Sequence, residues 1–98
     1  MSVIELTTFL LSDDGDEDGF LAADAAVQTD FYYLQPELVR RTTARGTGGQ
    51  WLVTILWGSV EAADAAAEAG RSDATLQAFY DRVDPASVEV RRYFPLQG

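Results

Sequence analysis

The chain has no cysteine, no histidine and no lysine among its 98 residues. Each absence removes a class of chemistry. Without cysteine there are no disulfides, thiolate nucleophiles or thiolate metal sites. Without histidine there is no imidazole base, no His-ligated haem and no common zinc site. Without lysine there is no Schiff base and no phosphate loop of the lysine type. All seven cationic side chains are therefore Arg, set against 16 Asp and Glu, for a net charge of −9. That balance repels a nucleic-acid backbone and an anionic membrane surface alike. No apolar run approaches the roughly 18–20 residues a bilayer span needs. Met1-Ser2-Val3-Ile4-Glu5 lacks the basic start of a signal peptide, so the cytoplasm is the expected compartment.

What is present suits one small domain over residues 1–98, with a modest core. The apolar fraction of 47% is ample for a globular fold. The remaining catalytic candidates are carboxylates, Tyr, Ser and Thr, Arg, Gln, Trp and the backbone.

Val3 to Leu11 is β-prone. Ile4, Leu6, Thr8 and Leu10 share one face; Val3, Glu5, Thr7 and Phe9 share the other. An acidic loop, Ser12 to Gly19, leads into a helix expected from about Asp16 to Gln35. Its apolar stripe is Phe20, Ala23, Val27, Phe31 and Leu34, its expected N-cap is Asp14, and Pro36 ends it. Glu37 to Arg45 and Gln50 to Gly58 read as strands joined by a hairpin at Gly46-Thr47-Gly48-Gly49. Ser59 caps a helix over Val60 to Ala69 that holds six alanines, and Gly70 stops it. Ser72 or Asp73 restarts a short helix with Leu76, Phe79 and Val83 as its stripe. After Asp84-Pro85, Ala86 to Phe94 is the last strand. Val88, Val90, Arg92 and Phe94 lie on one of its faces; Glu89, Arg91 and Tyr93 lie on the other.

The order β-α-β-β-α-β predicts an α+β, ferredoxin-like fold. Its four-stranded antiparallel sheet carries helices on one face, with the first and third strands central. The third strand, Trp51 to Trp57, is apolar on both faces. Trp51, Val53, Ile55 and Trp57 form one side, and Leu52 and Leu56 the other. A sheet with one wet face alternates instead. Two tryptophans and an isoleucine left in water would make a large exposed patch. A second copy of the chain is the economical cover, giving a homodimer or a higher assembly.

The junction Trp57-Gly58-Ser59-Val60-Glu61-Ala62-Ala63 resembles the W-x-S-x-E-A junction of the dimeric α+β barrel superfamily, in particular the antibiotic biosynthesis monooxygenase-like domains. Phe20 to Gln28, followed by Arg40-Arg41-Thr42 and the hairpin, is similar in layout to that family, and the resemblance covers nearly the whole chain. It implies two four-stranded sheets facing each other across a dimer, and a pocket between sheet and helices in each subunit. It also implies, for some members, cofactor-free monooxygenation of electron-rich aromatic polyketides. The haem-degrading branch relies on a His ligand, which this chain lacks.

Four candidate sites emerge. Glu5 and Thr7 are expected to neighbour Arg91 and Tyr93 on the open face of the sheet, either anchoring a phenol or carboxylate of a small hydrophobic or aromatic ligand or forming an ion pair at the dimer interface. Trp57 with Tyr32 and Tyr33 could stack on a planar substrate or simply fill the core. Asp24 and Gln28, one helical turn apart, could look into the same pocket or face solvent. Asp14 to Gly19 matches the opening D-x-D-x-D-G of a calcium loop, but the required twelfth-position Glu is Ala25 and the preceding flank is a strand. Helix-dipole complementation accounts for those acids without a metal. The Arg40-Arg41 and Arg91-Arg92 doublets point to alternate faces and make no basic patch. On this reading Trp57, Arg91 and Tyr93 are the catalytic candidates, and Glu5, Thr7, Asp24, Gln28 and Tyr32 the ligand-binding ones. No cofactor or metal is expected. The functions compatible with them are cofactor-free oxygenation, a carboxylate-run isomerisation or dismutation, and non-enzymatic binding of a small ligand or protein.

Overall fold

The computed structural model describes residues 1–12 and 15–96. The strands are β1 (Val3–Phe9), β2 (Leu38–Arg45), β3 (Trp51–Trp57) and β4 (Glu89–Tyr93). The helices are α1 (Glu17–Asp30), α2 (Val60–Gly70) and α3 (Ala74–Tyr80), and short 3-10 turns occupy Tyr32–Leu34 and Pro85–Ser87. The four strands form one antiparallel sheet in the order β2-β3-β1-β4. The ferredoxin-like α+β expectation holds, with β1 and β3 central.

Local chemistry sets the element ends. Ser59 caps α2 by accepting from the Ala62 amide, and Asp73 caps α3 by accepting from the Leu76 amide. At α1 the cap is Asp16, whose carboxylate accepts from the Gly19 amide at 2.9 Å and from Arg82 at 2.8 Å. Both bonds hold its carboxyl below the usual carboxylate range. The expected cap, Asp14, lies outside the described residues, as does the first position of the calcium-like loop. Gly48 and Gly49 turn the β2–β3 hairpin at φ +65° and +79°, a region open to glycine.

Three expectations change. The first helix stops at Asp30, because Phe31 leaves helical geometry (φ −126°) and drops into the core. Leu34, placed on the apolar stripe, is consequently 72% exposed. The last strand is shorter than expected, since Pro85 nucleates a 3-10 turn. The largest change concerns sides. Trp51, Val53, Ile55 and Trp57 were expected to face outward, yet all four are buried beneath the helices with Val3 and Phe9. Phe20 of α1, Phe79 of α3 and the buried Ala62, Ala63 and Ala66 of α2 lie over them in one core cluster. Phe20 stacks against Trp51 at 4.9 Å and Phe79 at 5.4 Å in the same layer.

The uncovered face therefore belongs to the other parity. Ile4, Leu6, Leu52, Thr54 and Leu56 are half-buried there, and Val39, Arg40, Arg91 and Tyr93 are exposed.

Candidate functional site

The helix-covered side of the sheet is not filled everywhere. Between β1, β3 and β4 below and α2 and α3 above lies a cavity of about 350 Å³. Glu5, Thr7, Ile55 and Trp57 line it from the sheet, and Ala63, Ala66, Ala67 and Gly70 from α2. Those four recur at steps of three and four, so one face of α2 presents only small groups to the space. A Cβ at Gly70 would stand 2.5 Å from Leu76 Cδ2, so a larger residue there requires the Leu76 side chain to move. Tyr32, Tyr80, Gln77 and Arg71 complete the lining with apolar Leu76 and Val90.

Glu5 holds the polar centre of the sheet floor. Trp57 Nε1–H donates to Glu5 Oε1 at 2.7 Å, and Arg92 Nε–H donates to Glu5 Oε2 at 3.1 Å. The same Arg92 reaches Asp64 on α2 at 2.8 Å, which ties sheet to helix across the cavity edge. Hydrogen bonds to Asp64 and Glu5 raise the Arg92 pKa further, so it is a permanent cation. Trp57 is 1% exposed and its one N–H is already committed to Glu5. Its ring can form a wall for a planar ligand, but it has no second proton to offer.

A second buried network stands beside the cavity. Arg41 is a charged residue in the core, its side chain 1% exposed, paired with Asp24 at 2.8 Å. It also donates to Gln28 Oε1 at 3.1 Å, while Thr43 donates to Asp24 at 2.8 Å. Its guanidinium lies 4.9 Å from the centre of the Tyr32 ring. The Tyr32 and Tyr80 phenols are both driven upward from their usual pKa, chiefly by burial and partly opposed by Arg41. They remain protonated across the neutral range and can act as hydrogen-bond donors.

The sequence-predicted residues divide between two places. Glu5, Thr7, Trp57 and Tyr32 come together in the cavity. Arg91 and Tyr93 do not join them. The register pairs Glu5 with Arg92, Leu6 with Arg91 and Ile4 with Tyr93, so a one-residue offset sends Arg91 and Tyr93 to the opposite face. There they line a separate groove of about 220 Å³ with Leu6, Thr8, Gln50 and Glu89. Asp24 and Gln28 act together as expected of neighbours one turn apart, but they hold Arg41 and do not line the cavity. Tyr33 is exposed, with its hydroxyl accepting from Gln28. The sequence marks Arg41 and Arg92 only as halves of Arg doublets on alternate faces, and it does not single out Tyr80. The unmatched pair Asp24 and Gln28, facing inward on α1, was the available signal for Arg41. Tyr80 had no comparable signal.

No family model matches the sequence, and no curated protein matches it. Solved structures do. A single-residue variant of SnoaB, a cofactor-independent oxygenase from Streptomyces nogalater, superposes with a TM-score of 0.80 at 18% identity, over 99% of this chain and 95% of that one. A candidate antibiotic biosynthesis monooxygenase from Chloroflexus aurantiacus gives 0.71 at 16% identity, over 100% and 96% of the two chains. Another, from Bordetella bronchiseptica, gives 0.74 at 15% identity over 98% of each. The fold is that of the antibiotic biosynthesis monooxygenase-like proteins. In this chain that fold sets the cavity between the sheet and α2. Among the described residues no helix is long and apolar enough to cross a membrane.

Proposed function

We propose that this protein is a cofactor-independent monooxygenase of a small, electron-rich aromatic compound, working as a homodimer. The observation that carries the reading is the cavity itself: a space walled by Trp57, Tyr32 and Tyr80, with alanines opposite and a hydrogen-bonded carboxylate on its floor. The shared fold with a protein named as a cofactor-independent oxygenase supports it.

The chemistry follows from what the chain can supply. In this reading the substrate itself is the reductant. Its phenolate or carbanion passes an electron to oxygen, and the radical pair combines as a peroxide. Loss of water then leaves a new carbonyl, so one methylene and one oxygen molecule become one carbonyl and one water. The protein holds the ring flat against Trp57, keeps bulk water from the anion, and offers the Tyr32 and Tyr80 hydroxyls to developing negative charge on oxygen.

The open face supports the homodimer. Ile4, Leu6, Leu52 and Leu56 form its middle and are only half-buried in one chain. A second sheet laid against them removes that apolar surface from water.

The test is oxygen consumption in an electrode with anthrone and a panel of substituted hydroquinones, in the presence of a chelator. Uptake above the spontaneous rate, with one carbonyl formed per oxygen, is expected. Binding without uptake across the panel would make the protein a small-ligand-binding module instead.

A further inference from the structure

We infer that Glu5 is the catalytic base of the cavity, taking the proton whose loss makes the aromatic substrate a reductant. The inference rests on the oxygenase reading above and adds the group that starts the reaction.

Among the described residues, the polar side chains reaching the cavity are Glu5, Thr7, Tyr32, Arg71, Gln77 and Tyr80, with Trp57, whose one N–H is a donor already given to Glu5. A Thr hydroxyl and a Gln amide take up no proton near neutrality, and an Arg has no acceptor. The two phenols keep their own protons, because burial disfavours their anions. Glu5 alone remains.

Its placement suits the role. Glu5 sits on a central strand, between Ile55 of β3 and Arg92 of β4, with a side chain 17% exposed. Each carboxylate oxygen accepts one bond from the protein, from Trp57 and from Arg92. A carboxylate offers about four acceptor positions, so about half of them stay open to a ligand. Arg92 is anchored in turn by Asp64, and Trp57 by burial. These two are positioning residues: they fix the carboxylate and leave its remaining lone pairs available.

The proton balance closes on the same group. Glu5 takes one methylene proton and leaves a carbanion. The carbanion and oxygen form a peroxide anion, which recovers that proton from Glu5. Glu5 then takes the second methylene proton as the O–O bond breaks and the carbonyl forms. The departing hydroxide takes this proton and leaves as water, and Glu5 ends as it began.

The decisive experiment separates the base from the oxygen chemistry. Under strict anaerobiosis, exchange of the anthrone methylene protons with deuterated water is followed by NMR, with and without protein. The wild-type protein is expected to accelerate exchange by about 100-fold or more. Glu5→Gln should lose the acceleration while still quenching tryptophan fluorescence on anthrone binding, and Glu5→Asp should restore part of it. Exchange by Glu5→Gln as fast as wild type, or no acceleration by the wild type, overturns the inference. If Glu5→Gln does not fold, Glu5→Asp decides: exchange unchanged from wild type overturns the inference, and a reduced rate supports it. Oxygen uptake is measured separately. Exchange that depends on Glu5 without any uptake sinks the oxygenase reading and leaves the base standing; uptake with exchange independent of Glu5 does the reverse.

Discussion

The two faces of this sheet are built from the same strands, one residue out of step, and they differ in kind. The covered face carries Val3, Phe9, Trp51, Val53, Ile55 and Trp57, and it also carries the charges that matter: Glu5, Arg41 and Arg92. Each of those charges is tied to a partner by a bond of about 3 Å or less. The open face carries aliphatics and threonines, with Arg91 and Tyr93 at its edge and Arg91 paired with Glu89 at 3.6 Å. Organised polarity inside a dry layer can position a reacting group. Scattered polarity around an apolar centre suits a contact surface. On the proposed reading the covered face carries the chemistry and the open one the association.

The sharpest way to break this contrast is to remove a charge from the covered side. Arg41→Ala leaves the partly buried Asp24 with its Thr43 hydrogen bond but without its cation, and is expected to cost about 3 kcal/mol of stability in urea unfolding. A cost under about 1 kcal/mol, the usual value of an exposed pair, would mean the network is no more than a surface ion pair. The matching change on the open side is Leu6→Asp. It should halve the mass seen by light scattering at micromolar concentration while the circular dichroism spectrum is kept. A wild-type chain that is already monomeric would remove the dimer from the account.

A smaller effect comes from pH. The Tyr32 phenol ionises near 10 when unfolded and higher when folded. Between those values the folded state holds more protons, so stability declines as pH rises above about 10 and is intact below it. Tyr32→Phe should flatten that alkaline decline in thermal melts. The smallest effect is expected from Arg91→Ala and Tyr93→Phe. Both lie across the sheet from the cavity, and oxygen uptake should stay within about twofold of wild type, well short of the roughly 100-fold or greater effects of groups acting in the reaction. A large loss would move the chemistry to the open face.

Much of this fold was legible because it is written locally. Ser59 and Asp73 announce helix starts, Gly46 to Gly49 announce a hairpin, and the alternation in β1 and β4 separates the two parity sets correctly. Which set faces the helices was not legible. β3 is apolar on both sides, and the choice depends on how the sheet packs against the helices, a tertiary property. The site inherited that ambiguity. Glu5, Thr7, Trp57 and Tyr32 were singled out by residue type and line one cavity, but the register that pairs Glu5 with Arg92 instead of Arg91 is a property of the assembled sheet. Asp24 and Gln28 were noticed as a pair, and only the fold supplied Arg41 as the reason.

The most direct test is a crystal structure with anthrone soaked in without oxygen. The account predicts the ring between Trp57 and the alanines of α2, with its reactive methylene within hydrogen-bonding reach of Glu5. Density for the ring beside Arg91 and Tyr93, with the space under α2 filled by side chains or water, would contradict it.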